Sequence, residues 1–128
     1  MFGIGPGTRI YVATGATDMR KSFNGLYGLV RDRLGCDPTS GGVFLFTNAR
    51  RNRLKILLYD GSGLWVAAKK LDGGRFRWPE SDTKATKIVL SQEELVLLVG
   101  GIDLVETRLR KWHRKPLVEA SRESLKTA

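Results

Sequence analysis

Three apolar runs follow one another at short intervals: VFLFTN (43–48), LKILLYD (54–60) and LWVAAKKL (64–71). The second and third are joined by Asp60-Gly61-Ser62-Gly63. Glycine reaches positive φ without penalty, so this is hairpin chemistry. The first and second flank a turn made almost wholly of Arg and Asn, with Arg50, Arg51 and Arg53 within four residues. Runs this close have no room for a crossover and must pair antiparallel. A further turn, Asp72-Gly73-Gly74, leads into RFRWP (75–79). There Phe76 and Trp78 alternate with Arg75 and Arg77, which predicts a fourth strand, ended or held at an edge by Pro79.

The flanking elements complete the pattern. TRIYVA (8–13) alternates polar and apolar and predicts a first strand. Thr17 or Asp18 can cap a helix, and Met19, Phe23, Leu26, Val30 and Leu34 form its apolar face. Gly25 and Gly28 each weaken that helix by roughly 1 kcal/mol relative to Ala; the expectation is that they admit a closely packed strand. Gly35 and Pro38 mark its end. ESDTKAT (80–86) reads as a polar loop and KIVL (87–90) as a last short strand. Ser91 and Glu94 then form a capping box. The following helix carries Leu95, Leu98, Val99 and Ile102 on one face, and its extra Val96 and Leu97 predict burial on more than one side. The fold class is α+β: an antiparallel meander sheet with two packed helices, one domain over residues 1–103. Residues 104–128 read as a basic tail, partly helical and then disordered after Pro116.

Of the 128 residues, 41% are hydrophobic and 27% charged, which suits a packed core. No apolar run approaches the roughly 18 residues a membrane helix needs. MFGIGPGTRIYV has no basic region followed by an apolar core, so no secretory signal is expected. Cys36 is the single cysteine; no disulfide framework exists, and a reducing cytoplasm fits.

The net charge of +9 favours a polyanionic partner. Residues 50–77 carry eight basic side chains (Arg50, Arg51, Arg53, Lys55, Lys69, Lys70, Arg75, Arg77) against Asp60 and Asp72. Residues 108–115 carry five (Arg108, Arg110, Lys111, Arg114, Lys115) and no acid. The first group is the candidate nucleic-acid-binding patch, since a basic two-stranded ribbon fits the major groove and tracks phosphates. The second is a subsidiary basic patch. Tyr59, Trp65, Phe76 and Trp78 lie nearby; core residues are the favoured reading, base-stacking platforms the other.

Other chemistry finds little support. G-x-G-P-G (3–7) precedes a strand and opens no helix, so it fails as a dinucleotide loop. His113 has no cysteine or histidine at ligand spacing, so no metal site or cofactor is expected. Asp18 and Asp60 could converge as a Mg²⁺-binding pair for a nuclease, the least favoured reading.

Three segments resemble a known family: TDMRKSFNGL (17–26), VFLFTNARRNRLKILLYDGSGLWVAAKKLDGGRFRWP (43–79) and LSQEELVLLVGGID (90–103). In order and spacing they are similar to the small accessory TnpB protein of IS-sixty-six-type insertion sequences. The unrelated RNA-guided nuclease of that name is much longer, and its carboxylate triad is absent here. The matching positions are Asp18, Met19, Arg20, Arg50, Arg51, Lys55, Asp60, Gly61, Gly63, Lys70, Leu71, Gly74, Phe76 and Trp78. The chain departs at Leu57-Leu58-Tyr59, at Leu104 and in its tail. The resemblance implies a role in DNA transposition beside a larger transposase, which carries the strand-transfer chemistry, and a second accessory protein of the same element. It implies no defined biochemical activity. The preferred expectation is a non-catalytic accessory protein that binds DNA through its phosphates, with the element ends as a candidate target. The alternative is an adaptor docking an acidic surface of the transposase. Oligomeric state stays open.

Overall fold

The computed structural model describes residues 5–80 and 84–100. Its elements are β1 (Ile10–Ala13), α1 (Phe23–Asp32), β2 (Val43–Thr47), β3 (Arg53–Tyr59), β4 (Leu64–Lys70), β5 (Lys87–Leu90) and α2 (Gln92–Val99). The strands form one sheet in the order β4-β3-β2-β1-β5. The fold is α+β, and the meander is present as β2-β3-β4, antiparallel throughout. Two features depart from the expected arrangement. First, β1 runs parallel to β2 and antiparallel to β5. The chain between β1 and β2 is long enough for a helical crossover, which parallel neighbours require. Secondly, residues 75–79 form no strand. Their alternation persists, with Phe76 and Trp78 buried and Arg75 and Arg77 exposed, but the segment straps one sheet face instead of joining the ladder. Alternation records which side chains are buried, and a strap over a core produces it as readily as a paired strand.

Both sheet faces are covered, as the wholly buried β2 requires. On one face Ile10, Val12, Val43, Leu45, Leu54, Ile56 and Leu58 meet Phe76 and Trp78 of the strap and Leu95 and Leu98 of α2. On the other, Phe44, Phe46 and Leu57 meet Leu26, Val30 and Leu34 from α1 and its C-terminal turn. Tyr11 and Phe44 stack there at 5.4 Å.

Helix α1 crosses its face from the β3 side, where Lys55 Nζ donates to the Lys21 carbonyl (2.8 Å), to the β5 side, where Lys87 Nζ donates to the Leu34 carbonyl (2.6 Å). It begins later than Thr17 or Asp18: Ser22 is the N-cap residue, without a side-chain cap bond. Asp18 instead accepts from the Arg20 backbone and side chain, closing a local turn. Phe23 is consequently 47% exposed, while Met19 packs against the core from that turn. No strand approaches Gly25 or Gly28; a side chain at Gly25 would press on that of Lys21, and Gly28 faces open space.

In α2 the Ser91–Glu94 capping box forms in both directions. Among the described residues Leu95 and Leu98 are inside and Val96 is 67% exposed. The amphipathic reading from Leu95 and Leu98 holds; of the two residues expected on a second buried side, Leu97 is half-buried and Val96 is exposed. Lys69 Nζ donates to the Val99 carbonyl (2.9 Å), a cation on a helix C-terminus. Ile102 and the expected tail lie outside the described residues.

Candidate nucleic-acid interface

The parallel β1–β2 pair determines what meets at one end of the sheet. The C-terminal ends of β1 and β2 point the same way, so the β1–α1 loop lies beside the β2–β3 turn; Thr17 N donates to the Thr47 carbonyl at 2.7 Å. The strap returns to the same place. Leu71 N donates to the Asn52 carbonyl (2.9 Å), Phe76 N to the Arg51 carbonyl (2.6 Å), and Trp78 Nε1 to the buried Ala13 carbonyl (2.9 Å).

The turn between β2 and β3 is shaped by Asn48. Its Oδ1 accepts from Asn52 N and Arg53 N, both at 3.1 Å, and its Nδ2 donates to Asn52 Oδ1 (2.7 Å). Arg51 takes φ +58°, the left-handed region that a non-glycine residue rarely occupies. The three arginines therefore diverge. Arg50 is exposed at the tip. Arg51 folds back onto Glu80 (2.7 Å), which holds that carboxyl below its usual pKa. Arg53 enters β3 on the α1 face.

All eight residues of the 50–77 patch lie at this end, in two roles. Arg51, Lys55 and Lys69 are engaged by Glu80, the Lys21 carbonyl and the Val99 carbonyl. Arg50, Arg53, Lys70 and Arg75 are exposed, and none makes an ion pair with another described residue. Arg77 is exposed beside them on the strap. Arg53 and Lys70 are direct cross-strand partners. Lys69 differs from its neighbour in facing the α2 side, so the patch wraps both faces of the sheet end instead of forming one plane.

Two basic residues were missed by the linear reading of this patch. Lys21 and Lys84 are exposed on loops at the same end. The β1–α1–β2 crossover brings Lys21 there, for which a strand-helix-strand unit between 10 and 47 was the available signal, and the antiparallel β1–β5 pairing brings Lys84. Arg20 joins them, held in a forked contact with Asp18 at 2.8 Å. Arg20's hydrogen bonds lower the Asp18 pKa to about 2. Asp18, Met19 and Arg20 thus share one end of the sheet with Phe76 and Trp78, on the opposite face, whereas Asp60, Gly61 and Gly63 occupy the β3–β4 turn at the other end.

That separation dismantles the proposed carboxylate pair. β3 spans seven residues, about 20 Å, between the two ends. Asp60 is fully occupied as a turn acceptor. It takes hydrogen bonds from Trp65 Nε1 (2.8 Å), Ser62 N (2.8 Å) and Gly63 N (2.9 Å), which hold its carboxyl well below the usual range. Among the described residues no cluster of His, Cys, Asp and Glu could hold a metal. The aromatic residues divide: Phe76 and Trp78 are core, while Trp65 is 50% exposed at the far end. No described helix is long and apolar enough to cross a membrane. Arg108, Arg110, Lys111, Arg114 and Lys115 lie outside the described residues.

The model of the IS66 Orf2-like proteins matches residues 8–109, a span that takes in every strand and helix described above. The chain belongs to the IS66 Orf2-like family. Membership makes it an accessory protein of transposition and ties it to the transposase machinery of these insertion sequences. Two curated relatives come from Sinorhizobium fredii. The uncharacterized protein y4jC is 40% identical over 91% of this chain and 94% of its own length. The uncharacterized protein y4hO is 38% identical over 80% of this chain and 88% of its own. No solved structure matches the chain significantly.

Proposed function

We propose that this IS66 Orf2-like protein serves transposition as a non-catalytic DNA-binding factor, gripping the phosphate backbone with the basic end of its sheet. One observation carries the reading: Arg50, Arg53, Lys70 and Arg75 are exposed together, while Arg51, Lys55 and Lys69 are tied into the scaffold beneath them. A fold gains nothing from aligning Arg53 against Lys70; a polyanion neutralises both. The first four residues contact phosphates, the other three hold the surface in shape, and Arg77, Arg20 and Lys21 extend it.

The test is fluorescence anisotropy with a duplex carrying the element's terminal repeats, beside a scrambled duplex and a single strand, across salt concentrations. Neutralising about four phosphates gives a log–log salt slope of roughly −4 on duplex DNA. Arg53→Ala with Lys70→Ala should weaken binding to every sequence alike and reduce the slope by about two. Unchanged affinity in that double variant would sink the proposal. A pull-down of the transposase that survives nuclease treatment, with no DNA binding near physiological salt, would favour the adaptor reading instead.

A further inference from the structure

The outer edge of β4 is the longest open edge in the described sheet. β4 pairs only with β3, and its seven residues run without bulge or proline from Leu64 to Lys70. The other edge, β5, has four residues. In the β3–β4 hairpin, Asp60 N bonds to the Gly63 carbonyl and Leu71 N to the Asn52 carbonyl. Hydrogen-bonded and non-bonded pairs alternate between these points. Leu64, Val66, Ala68 and Lys70 therefore fall in the non-bonded pairs and turn their N–H and C=O groups away from β3. A row of such groups on an unbulged strand is a template for another strand.

We infer that this edge pairs with β4 of a second copy of the same chain, making a continuous ten-stranded sheet about a two-fold axis. The strand is complementary to itself in reverse. Its C-terminal end is cationic, at Lys69 and Lys70. Its N-terminal end presents the exposed Trp65 indole, bonded to the Asp60 carboxylate. The antiparallel register that overlaps all seven residues sets Lys70 against Leu64 and Ala68 against Val66 of the second copy. Both members of each pair point their backbone groups outward, so complete overlap and a complete ladder coincide. The same register sets Lys69 against Trp65 of the second copy in a non-bonded pair, where side chains approach most closely. The Lys69 ammonium stays on the Val99 carbonyl, and its methylene chain is what packs along that indole. Small residues, Ala67 and Ala68, occupy the centre, where two sheets with flanking helices must come together. The pairing is isologous and closes on itself.

The dimer stands independently of DNA binding, but with the proposed function it has a consequence. Antiparallel β4 strands send the two basic ends to opposite ends of the joined sheet, so one dimer could hold two separate duplex segments.

The experiment is sedimentation of the full-length protein, with three variants. The wild-type chain should sediment at twice the chain mass. Ala68→Pro removes an outward N–H and touches no β3–β4 hydrogen bond; it should sediment as a folded monomer, checked by circular dichroism, and still bind a single duplex. Ala67 meets its own copy at the axis, in a pair with Cα atoms about 4.5 Å apart, within disulfide range. Ala67→Cys in a Cys36→Ser background should therefore cross-link under mild oxidant, and Ala68→Cys in that background should not. A monomeric wild-type mass at tens of micromolar, or a dimer that survives Ala68→Pro, would overturn the inference. Loss of DNA binding with the dimer intact would count only against the proposed function.

Discussion

Arg53 and Lys70 face each other directly across the β3–β4 ladder. Like charges in that position destabilise a sheet, because the side chains stand close on one face. The pair makes stability and binding respond oppositely to one substitution. Lys70→Glu should raise stability by about 0.5 kcal/mol, replacing repulsion by an exposed ion pair. The same change should weaken duplex binding severalfold at low salt. Thermal melts read alongside anisotropy give the two signs; a variant that loses both would mark Lys70 as a structural residue.

Trp78 carries the strap. Its indole donates to the Ala13 carbonyl from a buried position, fixing residues 75–79 across the face. Trp78→Phe should cost about 1–2 kcal/mol from the lost bond and imperfect filling. Urea titration at fixed pH measures it. Because Arg75 and Arg77 ride on this strap, DNA affinity should fall with it.

Arg51 holds φ +58° at the base of the turn. Arg51→Gly should be nearly neutral in stability, since the relief of the left-handed backbone offsets the loss of the half-exposed Glu80 pair. Arg51→Val should cost about 1–3 kcal/mol from forced backbone strain. Comparing the two urea midpoints separates the backbone role of this residue from its charge.

Acid should reveal the local carboxylates. Asp18 has its pKa lowered from 3.8 to about 2 by Arg20, and Asp60 is lowered by Trp65 and the turn amides. A depressed carboxyl stabilises the fold above its unfolded pKa, and that contribution drains away as pH falls through the folded value. The Trp65 indole N–H resonance should therefore hold its position from neutral pH down to about pH 4 and shift only in stronger acid. In Asp60→Asn it should be displaced already at pH 7.

The local elements were legible because each rests on short-range chemistry. The Ser91–Glu94 box, the Asp60–Gly63 turn and the pairing of 43–47, 53–59 and 64–70 involve neighbours in sequence, and the residues that make them say so. Helix α1 was misjudged at its start because Asp18 had two local partners available, a helix N-terminus or Arg20, and the arginine fork prevailed. RFRWP was read as a strand because its alternation reports burial of Phe76 and Trp78, whichever backbone pairing accompanies it.

Local patterns along the chain specify two basic clusters, one of them about the β2–β3 turn, and three strands that run antiparallel there. Which cations share a surface depends instead on long-range packing. The right-left order of the sheet follows from a crossover through α1, whose direction is set by packing apolar residues on both faces of β2, and no local signal encodes it. That crossover brings Arg20 and Lys21 to the end of the sheet that holds Arg50 and Arg53, carries Asp18 away from Asp60, and leaves β4 at the edge of the described sheet. Contacts of this kind join residues far apart in the chain, so their energy is expressed only once the core has closed.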